Sequence, residues 1–230
     1  AWLAAAVNGE VAVTKAASYS FAGETVKLTS DIDLGNYPWT PIGLTGDAAG
    51  FQGTFDGQGH TISNLYVDLT AERKYQSAGL FGSVHGTVKN FTVKNATVKN
   101  LDDIPDTSNG TAVVVGASQF ESTIENVHVV NAVVSANKRA AGIAGYFCGT
   151  ITGCTVDGLV ATTTPDKKSN GTYDNGDKIG GIVAYDNTPG TAIDRCSVKN
   201  AHIEGYRDLG GISGTARLSI TNCIVENVDI

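Results

Sequence analysis

An internal repeat constrains the fold of this chain more than any other feature. Five segments align without a gap: GTVKNFTVKNATV from residue 86, STIENVHVVNAVV from 122, GTITGCTVDGLVA from 149, TAIDRCSVKNAHI from 191 and LSITNCIVENVDI from 218. A weaker sixth copy, HTISNLYVDLT, covers residues 60 to 70. The copies recur every 26 to 42 residues, and units of this size bury their apolar faces by stacking on their neighbours.

The aligned positions have uniform chemistry. The first apolar column is β-branched in every copy: Ile62, Val88, Ile124, Ile151, Ile193 and Ile220. Two more inward columns follow, namely Leu65, Phe91, Val127, Cys154, Cys196 and Cys223, and then Val67, Val93, Val129, Val156, Val198 and Val225. Mostly polar residues between them give the period of two that a half-buried strand requires. Asn, which tolerates left-handed backbone, marks two bends: Asn64, Asn90, Asn126 and Asn222 at the first, and Asn95, Asn131, Asn200 and Asn227 at the second.

A short glycine motif accompanies each copy. It reads GLFG at 79–82 and recurs at 113–116, 142–145, 181–184 and 211–214. We expect it to supply another face of each repeat, with glycine at corners where successive backbones approach closely. Together the patterns predict an all-β chain folded as a right-handed parallel β-helix. The segments of variable length all fall between a repeat and the glycine motif and should crowd one edge: 71–76, 99–110, 135–139, 162–178 and 204–208.

The first residues depart from the repeat. AWLAAAVNG at 1–9 predicts a short helix that stops at Asn8-Gly9 and caps the first repeat. We expect a single domain over 1–230, with the cap and first strands in 1–50 and the repeated coils in 51–230. The absence of Met and the strand pattern running to Ile230 indicate a piece of a longer protein.

Charge and hydropathy exclude two classes of function. The net charge is -7 and Lys and Arg form no run, so we expect no nucleic-acid partner. No stretch is as long and apolar as a membrane-spanning helix, so membrane insertion is not expected. We expect a monomer.

Four segments carry a family resemblance: VKLTSDIDL at 26–34, WTPIG at 39–43, FQGTFDGQGHTISNL at 51–65, and the elements headed by GLFG at 79–82. In this ordered combination the chain resembles the GLUG-motif proteins of bacterial surfaces, over nearly its whole length. The resemblance implies a pectate-lyase-like β-helix in a secreted or cell-wall protein, as in the non-protease regions of immunoglobulin A peptidases. It implies surface display rather than catalysis, and no HExxH zinc motif is present.

The acidic residues near the N-terminus are the candidates for catalysis. Asp31, Asp33 and Asp56 are close in sequence to His60 and could supply the carboxylate pair of a glycoside hydrolase or polysaccharide lyase. The alternative is that Asp56-Gly57 and Gln58-Gly59 are turn residues, as Asp and Gly commonly are at such corners. We favour the turn interpretation and predict neither a catalytic residue nor a cofactor.

Two other chemistries have weaker support. Asp102, Asp103, Asp106, Asp174 and Asp177 lie in the variable segments and could bind Ca²⁺ through oxygen, but acidic residues are common in solvated loops, so we predict no metal site. The stacked Cys154, Cys196 and Cys223 would point in parallel, a poor geometry for disulfides. Buried free thiols are the favoured interpretation, although their redox state stays open.

A binding edge is the functional hypothesis. Tyrosine stacks on sugars and anchors protein interfaces, and together with loop acids it suggests a site for glycan or a host surface protein: Tyr66, Tyr75, Asp102, Asp103, Tyr173, Asp174, Asp177 and Tyr206. We expect a non-catalytic extracellular or cell-surface module that serves as an adhesin or a stalk. The alternatives are a carbohydrate-active enzyme and a purely structural spacer.

Overall fold

The chain folds almost entirely into β-strands in a computed structural model. It describes residues 2–9, 19–43, 50–70, 77–101, 109–118, 121–164, 166–167, 173–174, 177–186, 191–215, 217 and 219–230. Within these ranges one helix, α1, spans Trp2–Val7. No helix in the described part of the chain has the length and apolar character needed to cross a bilayer.

Most of the strands, numbered in chain order, belong to one large sheet. It comprises β1 Thr25–Lys27, β2 Ile32–Asp33, β3 Thr54–Asp56, β4 Thr61–Ser63, β5 Tyr66–Asp68, β7 Thr87–Asn100, β10 Ser122–Ala136, β13 Gly149–Thr152, β14 Thr155–Thr163, β19 Ala192–Asp194, β20 Ser197–Glu204, β22 Ser219–Thr221 and β23 Ile224–Asp229. Every pairing in this sheet is parallel.

Three smaller sheets complete the structure. The first small sheet contains β8 Thr111–Ala112, β11 Ala140–Ala141, β17 Asp177–Gly180 and β21 Arg207–Gly210, all parallel. The second small sheet contains β6 Phe81–Ser83, β9 Val115–Ala117, β12 Ala144–Phe147 and β18 Val183–Asp186, also parallel. An antiparallel hairpin joins β15 Asp166–Lys167 to β16 Tyr173–Asp174.

The register of the large sheet confirms the alignment of the five strong copies. The first apolar column pairs in register from repeat to repeat: Val88, Ile124, Ile151, Ile193 and Ile220. The first four are fully buried and Ile220, in the last repeat, is 43% exposed. The predicted inward column is therefore correct, and each repeat covers its predecessor.

The register also shows that the alignment of the sixth copy is wrong. Ile62 pairs with Val93 rather than Val88, and Phe55 occupies the position assigned to Ile62. The strong copies repeat internally every five residues, as in TVKN-FTVKN-ATVKN, so a short copy matches them equally well one bend later. Asn64 accordingly belongs to the second bend, since its amide donates to the carbonyl of Lys94.

Both bends have the left-handed backbone that their asparagines predict. At the first bend φ is 58° for Asn90, 50° for Asn126 and 53° for Asn222. Where the repeat substitutes another residue the conformation is kept, with φ of 63° at Gly153 and 52° at Arg195. The second bend behaves alike, with φ from 50° at Asn200 to 73° at Gly158.

The glycine motifs lie where the chain passes from the first small sheet to the second, and they contribute to the same core. Their central apolar residues are buried: Leu80, Val114, Ile143, Ile182 and Ile212. A methyl group on Gly181 would lie 2.2 Å from the carbonyl oxygen of Gly211, so the corner requires glycine because two backbones meet there.

The core lies between the large sheet and the second small sheet. Phe81 of β6 meets Phe55 of β3 edge to face, with ring centroids 5.3 Å apart, and Phe55 meets Phe91 of β7 at 5.4 Å. The predicted N-terminal helix packs on this core through Ala6 and Val7. The side chain of Asn8 holds the helix end in place, since it donates to the carbonyl of Pro41 and accepts from the amide of Gly43.

Candidate functional site

The described residues of the variable segments lie at one edge, as expected, whereas the segment 71–76 lies outside the described residues. Each described one begins after the last strand portion of a repeat in the large sheet and ends at a strand of the first small sheet, and both flanking ladders stay in register. The described residues of these segments therefore flank the line where the two sheets adjoin. Asp177 and Tyr206, both predicted site residues, lie on this edge.

A group of charged residues occupies this edge, and we call it the edge cluster: Arg139, Asp177, Lys178, Arg207 and Asp208. Asp177 of β17 pairs in register with Arg207 of β21. Its Oδ2 atom lies 3.3 Å from Nη2 of Arg207 and also forms an ion pair with Nζ of Lys178. Lys178 Nζ lies 3.8 Å from Oδ2 of Asp208. Strand pairing thus brings together charges that are 30 residues apart in sequence.

Asp177 is the buried centre of the cluster. Only 5% of its surface is exposed, and its Oδ1 atom is buried without a hydrogen-bond partner in the described structure. Burial disfavours the carboxylate, but hydrogen bonds and charges from Lys178 and Arg207 outweigh it, and the pKa of Asp177 is lowered. The group is therefore ionised at neutral pH and retains an acceptor atom.

Aromatic rings extend the cluster. Tyr146 and Tyr185 pair in register, with ring centroids 5.5 Å apart. The guanidinium carbon of Arg139 lies 4.7 Å from the centroid of Tyr185 and 5.5 Å from that of Tyr146. Lys178 Nζ lies 5.4 Å from the Tyr185 centroid. Such distances are typical of cation–π contacts, which hold both cations in place.

The backbone at the edge cluster is strained. Arg139, Lys178 and Asp208 occupy the same position in three successive repeats, and their φ angles are 55°, 63° and 57°. A left-handed conformation costs roughly 1 kcal/mol for a residue other than glycine. Strain of this kind concentrates at functional sites. The asparagine bends have less strain, because Asn tolerates the left-handed conformation.

The other predicted binding residues are not brought into the cluster. Tyr75, Asp102 and Asp103 lie outside the described residues, as do the side chains of Tyr173 and Asp174 in the hairpin. Tyr206 precedes Arg207 and is 50% exposed. Tyr66 lies four steps along the ladder from His202, in the repeat that precedes Tyr206, through Thr97, Val133 and Val160, or about 19 Å at the usual strand spacing. Its hydroxyl donates to Asp68, 3.1 Å away.

Three residues of the edge cluster were not predicted, although the sequence contains a signal for them. Arg139, Lys178 and Asp208 each stand three positions before the first glycine of a glycine motif. Aligning the motifs and reading backwards would have placed all three at one bend. Their contacts with Tyr146 and Tyr185 follow only from the pairing of the small sheets.

The N-terminal carboxylates act as turn and strand connectors. Asp31 accepts hydrogen bonds from the amide of Thr61 and pairs with His60 Nδ1 at 3.1 Å. Asp33 accepts from Gly35 N and Asn64 Nδ2, both at 2.8 Å. Asp56 accepts from Gln58 N and Asn90 Nδ2, at 3.1 and 3.0 Å. These contacts match the turn interpretation.

The same hydrogen bonds keep the three carboxyl groups ionised. The pKa of Asp31 is lowered mainly by the Thr61 amide, and that of Asp33 mainly by Asn64. Burial opposes ionisation of Asp56, but the bonds from Asn90 and Gln58 prevail and its pKa is also lowered. A general acid needs a pKa raised toward neutrality, which none of the three has.

The cysteines are all free thiols. Cys154 and Cys196 are buried, and Sγ of Cys196 lies 3.4 Å from the amide of Cys154. Cys196 has the same relationship to Sγ of Cys223. Among the described residues, no group of three or more His, Cys, Asp or Glu side chains is arranged to hold a metal ion.

Comparison with known proteins gives one sequence relative and one structural relative. No family model matches the chain. Over 132 residues, 54% of this chain, it is 33% identical to halomucin of Haloquadratum walsbyi, and it spans 1% of that protein. A crystal structure of a candidate immunoglobulin A1 protease from Bacteroides ovatus superposes with a TM-score of 0.57, covering 91% of this chain and 72% of the other at 18% identity. The second likeness establishes a shared fold.

Proposed function

We propose that this chain is a non-catalytic, secreted or cell-surface module that binds glycan or a host surface protein through its variable edge. The observation that carries the proposal is the edge cluster. It holds the exposed guanidinium of Arg207 against the ionised, buried carboxylate of Asp177, and the adjacent Tyr206 is half-exposed on the edge where all the described insertions emerge. The likeness to halomucin over half of the chain supports a surface setting.

The architecture that best accounts for the ladders is a right-handed parallel β-helix of the GLUG-motif type. Parallel strands that recur in register, with bends of constant geometry and insertions at one corner, are typical of such a solenoid. The fold shared with the Bacteroides ovatus protein agrees with the resemblance in the sequence. A rigid stack of this kind suits a stalk, because it holds the surface that it displays at a fixed distance from its ends.

The chemistry of the edge suits a saccharide. Arg207, whose side chain is 57% exposed, can donate to a sugar hydroxyl, and the buried carboxylate of Asp177 holds its guanidinium in position. Tyr206 offers a ring for the apolar face of a sugar.

The rival enzyme hypothesis has less support. Asp31, Asp33 and Asp56 are engaged by turn and strand partners and have lowered pKa values, which favours structural roles. A spacer without a ligand would not need Arg139 and Lys178 in strained backbone over tyrosine rings, so the adhesin hypothesis is preferred to it.

A glycan and mucin array tests the proposal. Wild-type protein would be compared with a variant in which residues 165–176 are replaced by a short Gly-Ser turn, and with Tyr206→Ala. Tyr37→Ala is the matched control, since Tyr37 is 77% exposed and belongs to the N-terminal region. We expect binding that Tyr206→Ala weakens and Tyr37→Ala leaves intact. Folded wild-type protein that binds nothing on the array would contradict the proposal in favour of a spacer.

A further inference from the structure

A cleft lined by both polar and apolar groups lies on the outer side of the large sheet, beside the first bend. Its volume is about 300 Å³, and its walls come from Gly59, Asn90, Phe91, Thr92, Asn126 and His128. These residues belong to three successive repeats. The cleft is independent of the edge cluster, which lies beyond the last strand portion of each repeat.

Hydrogen bonds fix the polar groups of the cleft. Asn90 Nδ2 donates to Oδ1 of Asp56 at 3.0 Å, which leaves Asn90 Oδ1 to accept from Asn126 Nδ2 at 3.4 Å. On the next column, His128 Nδ1 lies 2.8 Å from the hydroxyl oxygen of Thr155. Each contact joins neighbouring repeats, so the amides and the imidazole are held in position before any ligand arrives.

Glycines on either side leave the cleft open. A methyl group added to Gly59 would meet no atom within 4 Å, so open space lies over this end of the cleft. A methyl group on Gly153 would lie 2.5 Å from Oδ1 of Asn126, so the missing side chain makes room for that amide. Further along the same bend stands Arg195, whose Nη2 instead bonds Thr152 at 3.0 Å.

The lining specifies the chemistry of the ligand. Two carboxamides, a hydroxyl and an imidazole face the cleft, and among the described residues no acidic, Lys or Arg side chain lines it, so the lining favours an uncharged ligand over an ion. A volume of about 300 Å³ is at the small end of ligand sites. We infer that this cleft binds an uncharged, hydroxyl-rich ligand of one or two sugar units, with Asn126 and His128 as the principal contacts.

Two substitutions remove these contacts with little risk to the fold. Asn126→Gly introduces the residue that the repeat itself has at Gly153, where φ is also left-handed. His128→Thr introduces the residue found in the same column at Thr92 and Thr155. Asn222→Gly is the matched control, because it makes the same Asn-to-Gly substitution at the first bend of the last repeat.

The test is an NMR titration of the whole chain with neutral monosaccharides and disaccharides, with glucuronate as a charged comparison. We expect saturable shifts of the His128 ring and the Asn126 amide group with a neutral sugar, and weaker shifts with glucuronate. Each variant should weaken binding about tenfold, the effect of losing one or two hydrogen bonds, and Asn222→Gly should not. No saturable shift in wild-type protein, or an affinity in both variants equal to that of wild-type protein, would overturn the inference.

The edge cluster supplies the remaining control. Arg207→Ala should leave the titration at His128 unchanged, because that residue lies outside the cleft. A loss of the response in Arg207→Ala but not in His128→Thr would overturn the inference and leave the proposed function of the edge standing. A response that persists in Arg207→Ala while array binding disappears would support two separate sites.

Discussion

Nη2 of Arg207 lies 3.3 Å from Oδ2 of Asp177, its partner in register on the neighbouring strand. Burial opposes ionisation of this carboxyl, but Lys178 and then Arg207 outweigh it and lower its pKa below the usual 3.8, so these contacts stabilise the fold fully above that value. The stabilisation is lost as the pH falls through the lower pKa of the folded state. We predict that Asp177→Asn reduces the free energy of unfolding at pH 7 by about 1 to 3 kcal/mol.

Urea unfolding at pH 7 and pH 3 checks the direction of this effect. The difference between wild-type protein and Asp177→Asn should shrink at the lower pH, since protonation removes the same charge. A difference that grows on acidification would show that Asp177 is not held ionised by its neighbours.

The close approach of Gly181 to Gly211 predicts a steep cost for a single methyl group. In Gly181→Ala the new carbon would lie 2.2 Å from a carbonyl oxygen and 2.6 Å from Cγ2 of Val198, so backbone must move. We expect a loss of about 3 kcal/mol, the upper end for overpacking, measured by urea unfolding. Gly59→Ala is the control: it has a left-handed φ of 82° but open space, and should lose only about 1 kcal/mol.

The second bend predicts a difference between two substitutions at one residue. Asn131 has φ of 54°, and the next repeat has Gly158 at the same bend with φ of 73°. Asn131→Gly should therefore be nearly neutral, whereas Asn131→Ala should lose about 1 kcal/mol from left-handed strain. Equal melting temperatures for the two variants would show that the bend does not hold the backbone in this conformation.

Thiol reactivity should follow position in the cysteine column. Burial, followed by the neighbouring Cys196, raises the pKa of Cys154 well above its usual value, so this thiol should resist alkylation while the protein is folded. Cys148 and Cys223 are only half-buried and should react first. Mass spectrometry after iodoacetamide treatment at pH 8 measures the order, and labelling of Cys154 as fast as Cys148 would contradict the packing of the column.

The repeat was predictable because successive copies have the same type of residue in each aligned column. Val88, Ile124, Ile151 and Ile193 are β-branched and face inward, and the asparagine bends fix the spacing between faces. The register of Ile62 could not be obtained in this way. A five-residue internal period offers two matches, and only the turn from Asp56 to Gly59, with φ of 54° at Gln58, determines which one forms.

The candidate site was predictable only in part. The edge and two of its members, Asp177 and Tyr206, followed from the position of the insertions. The contact of Arg139 with Tyr185 could not be predicted, because it joins residues on different sheets whose relative position depends on three-dimensional packing. The cleft at Asn126 and His128 was also missed, since asparagines assigned to a bend gave no reason to expect a concave surface.

The central claim, that the edge binds a partner, is tested most directly by the dissociation constant for the strongest array ligand in wild-type protein and Arg207→Ala. We predict saturable binding that Arg207→Ala weakens about tenfold, as expected for the loss of a charged hydrogen bond. Arg195→Asn, which removes an arginine from the first bend and restores its usual residue, should bind as wild-type protein does. Equal affinity of the folded Arg207→Ala variant and wild-type protein would contradict the claim.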